Sequence, residues 1–130
     1  MMKSSTKSTA AEKSPVVKTG WLDAYLWLAT APLDMRAGPD KALGRVVEVF
    51  GAARLHHAYL FANQRGTRMK VLVHDGQGLW LLARRLHQGR FVWPQGSLAA
   101  HIELNPTQWQ ALIMGLPWQR LQADGAIRVV

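Results

Sequence analysis

From Thr67 to His74 the chain alternates. Met69, Val71 and Val73 fall on one side and Arg68, Lys70, Leu72 and His74 on the other. A period of two predicts a β-strand with one buried face. Asp75-Gly76-Gln77-Gly78 follows, a composition suited to a hairpin turn, and Leu79 to Leu86 reads as the returning strand. Gln88-Gly89 predicts another turn, leading into a strand from Arg90 to Trp93. Upstream, Tyr59 to Ala62 begins a β region closed by the turn Asn63-Gln64-Arg65-Gly66. The short apolar run Tyr25 to Ala29 predicts a buried strand, and His101 to Leu104 a short one.

Two segments change period. Leu43, Val46, Val47 and Phe50 recur at i, i+3, i+4 and i+7, one apolar stripe of a helix. Pro39 suits its first position, where a missing N–H costs nothing, and Gly51 suits its left-handed end. A second helix is capped by Asn105, opens on Pro106, buries Trp109, Leu112, Ile113 and Leu116, and stops at Pro117. The expected class is α+β: an antiparallel β-meander of four to six short strands with two or three flanking helices, in a single domain over residues 21–130. Residues 1–20, rich in Ser, Thr and Lys, are expected to form a disordered basic tail.

Charge sharpens this picture. The 130 residues carry a net charge of +8. From Trp21 onward there are 12 basic and 7 acidic residues, an excess of +5. Asn63 to Pro94 alone holds Arg65, Arg68, Lys70, Arg84, Arg85 and Arg90 against Asp75, also +5. The whole excess of the folded part sits on the meander, which points to nucleic-acid phosphate as a partner. If the Asp75–Gly78 turn closes symmetrically, Arg68 lies opposite Arg85 and Lys70 opposite Ala83. Like charges directly opposite are unfavourable, so such a pair suits an anionic ligand. A two-residue turn at Gln88-Gly89 would add Arg90 to this face, with Arg65 at its edge. The opposite face would hold Met69, Val71, Val73, Trp80, Leu82, Leu86 and Phe91. Arg84 falls among these apolar residues, which requires either a snorkelling stem or a bulge. A merely solvated basic face is the plain alternative.

The other chemistries are thin. The chain has no cysteine, which excludes disulfides and thiol catalysis and fits a reducing cytoplasm. No apolar run approaches the ~20 residues of a membrane span. The five histidines show no metal-ligand spacing. Asp34, Asp40 and Asp75 sit in suggestive loops, and clustered acids can hold Mg²⁺. The simpler expectation pairs Asp34 with Arg36, places Asp40 in the first turn of its helix, and makes Asp75 a turn acceptor. Neither a metal, a cofactor, a catalytic residue nor a small-molecule substrate is expected.

Asp34-Met35-Arg36-x-Gly38-x-Asp40, Phe61-x-Asn63-x-Arg65, Lys70-x-Leu72, Asp75-Gly76-x-Gly78 and Arg85-Leu86-x-x-Gly89-Arg90-Phe91-x-Trp93-Pro94 occur in that order, with Gly115-Leu116-x-Trp118 at the close. The series resembles the TnpB accessory proteins of the insertion sequence 66 family, small partners of a separate transposase. Pro39, Gln64 and His74 depart from the pattern. The resemblance implies a non-enzymatic role in transposition, acid-metal strand transfer belonging to the transposase. DNA contact is expected from Arg65, Arg68, Lys70, Arg85 and Arg90. Docking to the transposase is expected from Asp34, Arg36, Asp40 and Trp93, with Trp93 equally able to pack in the core beside Phe91. An RNA-binding regulator is the third reading.

Overall fold

The computed structural model describes residues 17–18, 23–94 and 98–121. Among the described residues six strands and two helices follow in the order β1 (Val17–Lys18), β2 (Asp23–Ala29), α1 (Pro39–Phe50), β3 (His57–Ala62), β4 (Arg68–His74), β5 (Leu79–Arg85), β6 (His101–Leu104) and α2 (Pro106–Ile113). The class is α+β, in one small domain. Val17 and Lys18, within the stretch read as a tail, pair with Ala24 and Asp23. The rest of that stretch lies outside the described residues.

The strands form one mixed sheet rather than a purely antiparallel meander. β3–β4 and β4–β5 are the expected antiparallel hairpins, and β6 is antiparallel to β2. β2 and β3 run parallel, Tyr25 opposite His57 and Leu28 opposite Leu60. The cause is the intervening helix: α1 carries the chain back to the starting end, so β3 leaves in the same direction as β2, a βαβ crossover.

Both faces of the sheet are covered at its centre, so β3 is apolar nearly throughout. One face packs Leu28, Leu60, Met69, Val71 and Val73 against Leu112 of α2, Phe91 and Trp118. The other packs Tyr59, Phe61 and Leu72 against Ala42 and Val46 of α1 and Leu33 and Ala37 of the preceding loop. Leu72 is thus fully buried among the polar residues of its side because α1 lies over it.

The helices start as their sequences predict and differ in detail. Pro39 opens α1, and Gly51 closes it at φ 87° with its N–H on the Val47 carbonyl at 2.9 Å. The buried face is Ala42 and Val46, and Val47 of the expected stripe is half-exposed. Asn105 and Gln108 cap α2 reciprocally, each side chain accepting from the other's backbone N–H. That helix ends at Ile113, before Pro117, and Leu116 lies beyond it, exposed. Arg90 to Trp93 is not a strand. Its extended chain drops onto the core: the Phe91 N–H donates to the Gly66 carbonyl at 2.8 Å, and the Trp93 indole N–H to the Ala29 carbonyl at 2.9 Å.

Candidate nucleic-acid interface

The β4–β5 register is the one the turn composition predicts: His74 opposite Leu79, Lys70 opposite Ala83, Arg68 opposite Arg85. Asp75 builds the turn. Its Oδ1 accepts from the N–H groups of Gln77 and Gly78 at 2.9 and 2.8 Å, and its Oδ2 from the Trp80 indole at 2.7 Å. These bonds to the ionised form hold its carboxyl below the usual range. The hairpin is therefore stiff at the Asp75 end and presents its arginine pair at the other. Two cationic side chains face each other there across neighbouring strands, and both are exposed.

The loop between β2 and α1 flanks this pair. The Leu33 N–H donates to the Ala62 carbonyl at 2.9 Å, and Arg45 of α1 donates to the Pro32 carbonyl at 2.9 Å. Lys70 reaches from β4 to the Ala37 carbonyl at 2.9 Å. Lys70 is consequently half-buried and holds the loop, not simply a free member of the basic face. At the loop tip Asp34 accepts from Arg36: backbone N–H at 2.8 Å, Nε at 3.1 Å and Nη2 at 2.8 Å. The Arg36 bonds hold the Asp34 carboxyl far below its ordinary value. The pair is expected to add little stability, since both side chains are exposed, at 57% and 91%.

Loop and hairpin enclose two adjoining depressions that share Met35 and Arg68. One, about 240 Å³, is lined by Met35, Arg68, Lys70, Ala83, Arg84 and Arg85. The other, about 470 Å³, runs along Pro32, Leu33, Asp34, Met35, Asn63, Gln64 and Arg68. The two residue groups separated in the sequence reading, basic meander and acidic loop, therefore form one continuous surface. Asn63 was missed as a positioning residue. Its Oδ1 accepts from the Thr67 and Arg68 N–H groups at 2.9 and 3.1 Å, fixing the backbone beneath Arg68. An asparagine opening a turn was the available signal.

Arg65 and Arg90 come to the same end of the sheet by a route other than strand pairing. Each precedes a partner of the Gly66–Phe91 hydrogen bond, and both side chains are exposed. Arg84, the misfit, lies on the opposite face, where its Nε donates to the Ile113 carbonyl at 2.8 Å. It satisfies the last turn of α2, where carbonyls lack partners and the helix dipole favours a cation. Asp40 lies exposed in the first turn of α1. Trp93 is half-buried against the core. Among the described residues no group of three or more His, Cys, Asp or Glu is placed to hold a metal ion. No helix among them is long and apolar enough to cross a membrane.

Comparison with known proteins settles the family. A model of the IS66 Orf2-like proteins matches residues 24–123, most of the chain. The chain belongs to the IS66 Orf2-like family. The chain is also similar to the uncharacterized protein y4hO of Sinorhizobium fredii, 40% identical over 99 residues, covering 75% of this chain and 84% of that protein. The uncharacterized protein y4jC of the same organism is 28% identical over 102 residues, covering 75% and 83%. No solved structure matches. The family match spans β2 to α2 and both depressions, so membership covers the whole surface just described.

Proposed function

We propose that this IS66 Orf2-like protein is a non-enzymatic, cytoplasmic accessory factor of insertion-sequence transposition. It binds DNA through the surface around Arg68 and Arg85, with Arg65 and Arg90 beside them and Lys70 at its floor. The observation that carries the reading is the Arg68–Arg85 pair, directly opposite across β4 and β5 and opening on the depression floored by Ala83. A solvated pair of this kind opposes folding weakly. A phosphate between the two guanidiniums turns the repulsion into two charge-assisted hydrogen bonds. If about four phosphates are neutralised, log K against log salt falls with a slope near −3.6. In the Arg68→Ala/Arg85→Ala double variant two contacts are lost, and the slope relaxes to about −1.8. A slope unchanged in that variant counts against the surface.

A second reading rests on the larger depression. Its lining is mostly uncharged, and the Asp34–Arg36 pair stands at its rim with both charges turned to solvent. That chemistry suits a protein partner, the element's transposase, better than phosphate, which calls for cations. Pull-down of the transposase by wild type and by Asp34→Ala/Arg36→Ala tests it. Loss of capture with DNA affinity intact assigns the loop to docking, and unchanged capture removes it.

A further inference from the structure

β5 ends the sheet. Among the described residues it pairs only with β4. Its sequence, Leu-Trp-Leu-Leu-Ala-Arg-Arg, opens with five apolar residues. Trp80 and Leu82 lie on the face that packs α2 nearer the centre, and they remain 45% and 37% exposed. An apolar outer strand is a template for a further strand. Natural edges are blunted by charges or proline, and here the charges, Arg84 and Arg85, stand together at one end.

We propose that β5 pairs with β5 of a second copy, antiparallel about a two-fold axis through Leu82. The distribution of charge along β5, with both cations at one end and an indole near the other, fits this occupant. A two-fold axis normal to the sheet keeps like faces together, and Leu82 is the midpoint of the seven-residue strand. Centring there pairs all seven positions: Leu82 with Leu82, Leu81 with Ala83, Trp80 with Arg84, Leu79 with Arg85. No arginine opposes an arginine. Each Arg84 faces an indole, a cation–π contact, and each Arg85 faces a leucine. Centring on Arg84 or Arg85 would instead set guanidiniums against each other and leave most of the strand unpaired. The resulting sheet runs continuously through both copies. It brings the two Arg85 residues within about 20 Å along the strand axis, six positions at ~3.4 Å. The pairing stands whether or not the surface binds DNA.

The chain has no cysteine, so a single introduced thiol reports the register. Directly opposed residues have Cα atoms about 4.5–5.5 Å apart, within disulfide reach, and diagonal ones about 7–8 Å, beyond it. Leu82→Cys in the full chain should therefore give a covalent dimer under mild oxidation, and Ala83→Cys should not. By sedimentation without DNA, wild type should double its mass over a concentration range on the order of 10–100 μM, as fits a small interface. Leu82→Lys, with an unchanged circular dichroism spectrum, should stay monomeric. A wild-type monomer throughout that range overturns the proposal, as does equal crosslinking at both cysteines or a dimer that survives Leu82→Lys.

Discussion

Gly115, in the family-like Gly115-Leu116-x-Trp118 close, sets a test of how this fold holds its arginines. Its φ is +76°, and a Cβ there would stand 2.8 Å from Leu86 Cδ1 and 2.9 Å from the Arg90 carbonyl oxygen. The leucine methyl can rotate away. The carbonyl cannot, because the next residue, Phe91, is fixed by its bond to Gly66 and its burial. For Gly115→Ala the left-handed backbone costs roughly 1–2 kcal/mol. Crowding adds roughly 1–3 kcal/mol, and the stiffer unfolded chain returns about 0.4–1 kcal/mol. The net loss is about 2–4 kcal/mol, a fall in Tm of roughly 8–16 °C at about 4 °C per kcal/mol for a domain of this size.

Gly44→Ala is the matched control. Gly44 lies in α1, and a Cβ there meets nothing within 4 Å. The same change should gain about 0.5–1 kcal/mol through helix propensity. Thermal and urea unfolding of both variants decide the matter. A Gly115→Ala chain as stable as wild type, or a Gly44→Ala chain that loses as much, would refute the account. The expected damage extends to the surface, because Gly115 locks the end of α2 against the segment that bears Leu86 and Arg90.

Four further outcomes follow. Arg68→Ala and Arg85→Ala should leave Tm unchanged or raise it at low salt, since each relieves a like-charge pair; a clear fall in Tm would make the pair structural. Purified protein should show no Mg²⁺-dependent nicking of DNA, and nicking that Asp34→Asn abolishes would overturn the non-enzymatic reading. Trp93→Ala should cost about 2–3 kcal/mol, below the usual cost of a fully buried aromatic, because the indole is half-buried and bonded to Ala29; loss of transposase capture without a stability change would give Trp93 a docking role instead. His57 accepts the Trp27 indole N–H at Nδ1, 2.8 Å, and burial, aided by Arg54 and His56 against Glu103, holds its pKa below 6.5. The unfolded chain therefore takes up the proton first, so stability is full above about pH 6.5 and falls as pH drops toward the folded value; a Tm-versus-pH slope between pH 7 and 5 that is identical in His57→Gln would exclude this group.

The hairpin register was legible because two independent signals agree. The period of two fixes which residues share a face, and the Asp75–Gly78 turn fixes which residue meets which. The parallel β2–β3 pair was not legible from periodicity, which says nothing of a strand's neighbour; the helix between them was the only signal. Val47 was misplaced because the apolar stripe left out Ala42, whose small side chain lets α1 approach the sheet. The segment from Arg90 to Trp93 read as a strand because apolar Phe91, Val92 and Trp93 follow the Gln88-Gly89 turn; in the fold Phe91 is buried and Val92 and Trp93 half-buried. Its burial comes from ring packing and indole hydrogen bonding, and sequence alone does not separate that from pairing. Lys70 read as a solvated cation because its partner, the Ala37 carbonyl, lies in a loop 33 residues away.

The residues that carry the family resemblance divide by what they do in the fold. Phe61, Leu72, Phe91 and Trp118 are core. Asn63 and Asp75 build turns, and Gly89 and Gly115 take left-handed backbone. Lys70 and Trp93 tie loops to strands through carbonyls. Each of these has a structural reason to be what it is. Arg65, Arg85 and Arg90 have none of that kind: they are exposed, and Arg85 stands opposite another arginine. Asp34 and Arg36 hold each other but turn both charges to solvent. What remains after folding is accounted for is therefore one patch, three arginines at the open end of the hairpin with an ion pair at the neighbouring loop tip. A surface shaped by folding alone would favour an acid opposite Arg85. The choice of arginine there is a small cost to stability, which the DNA binding proposed above would offset.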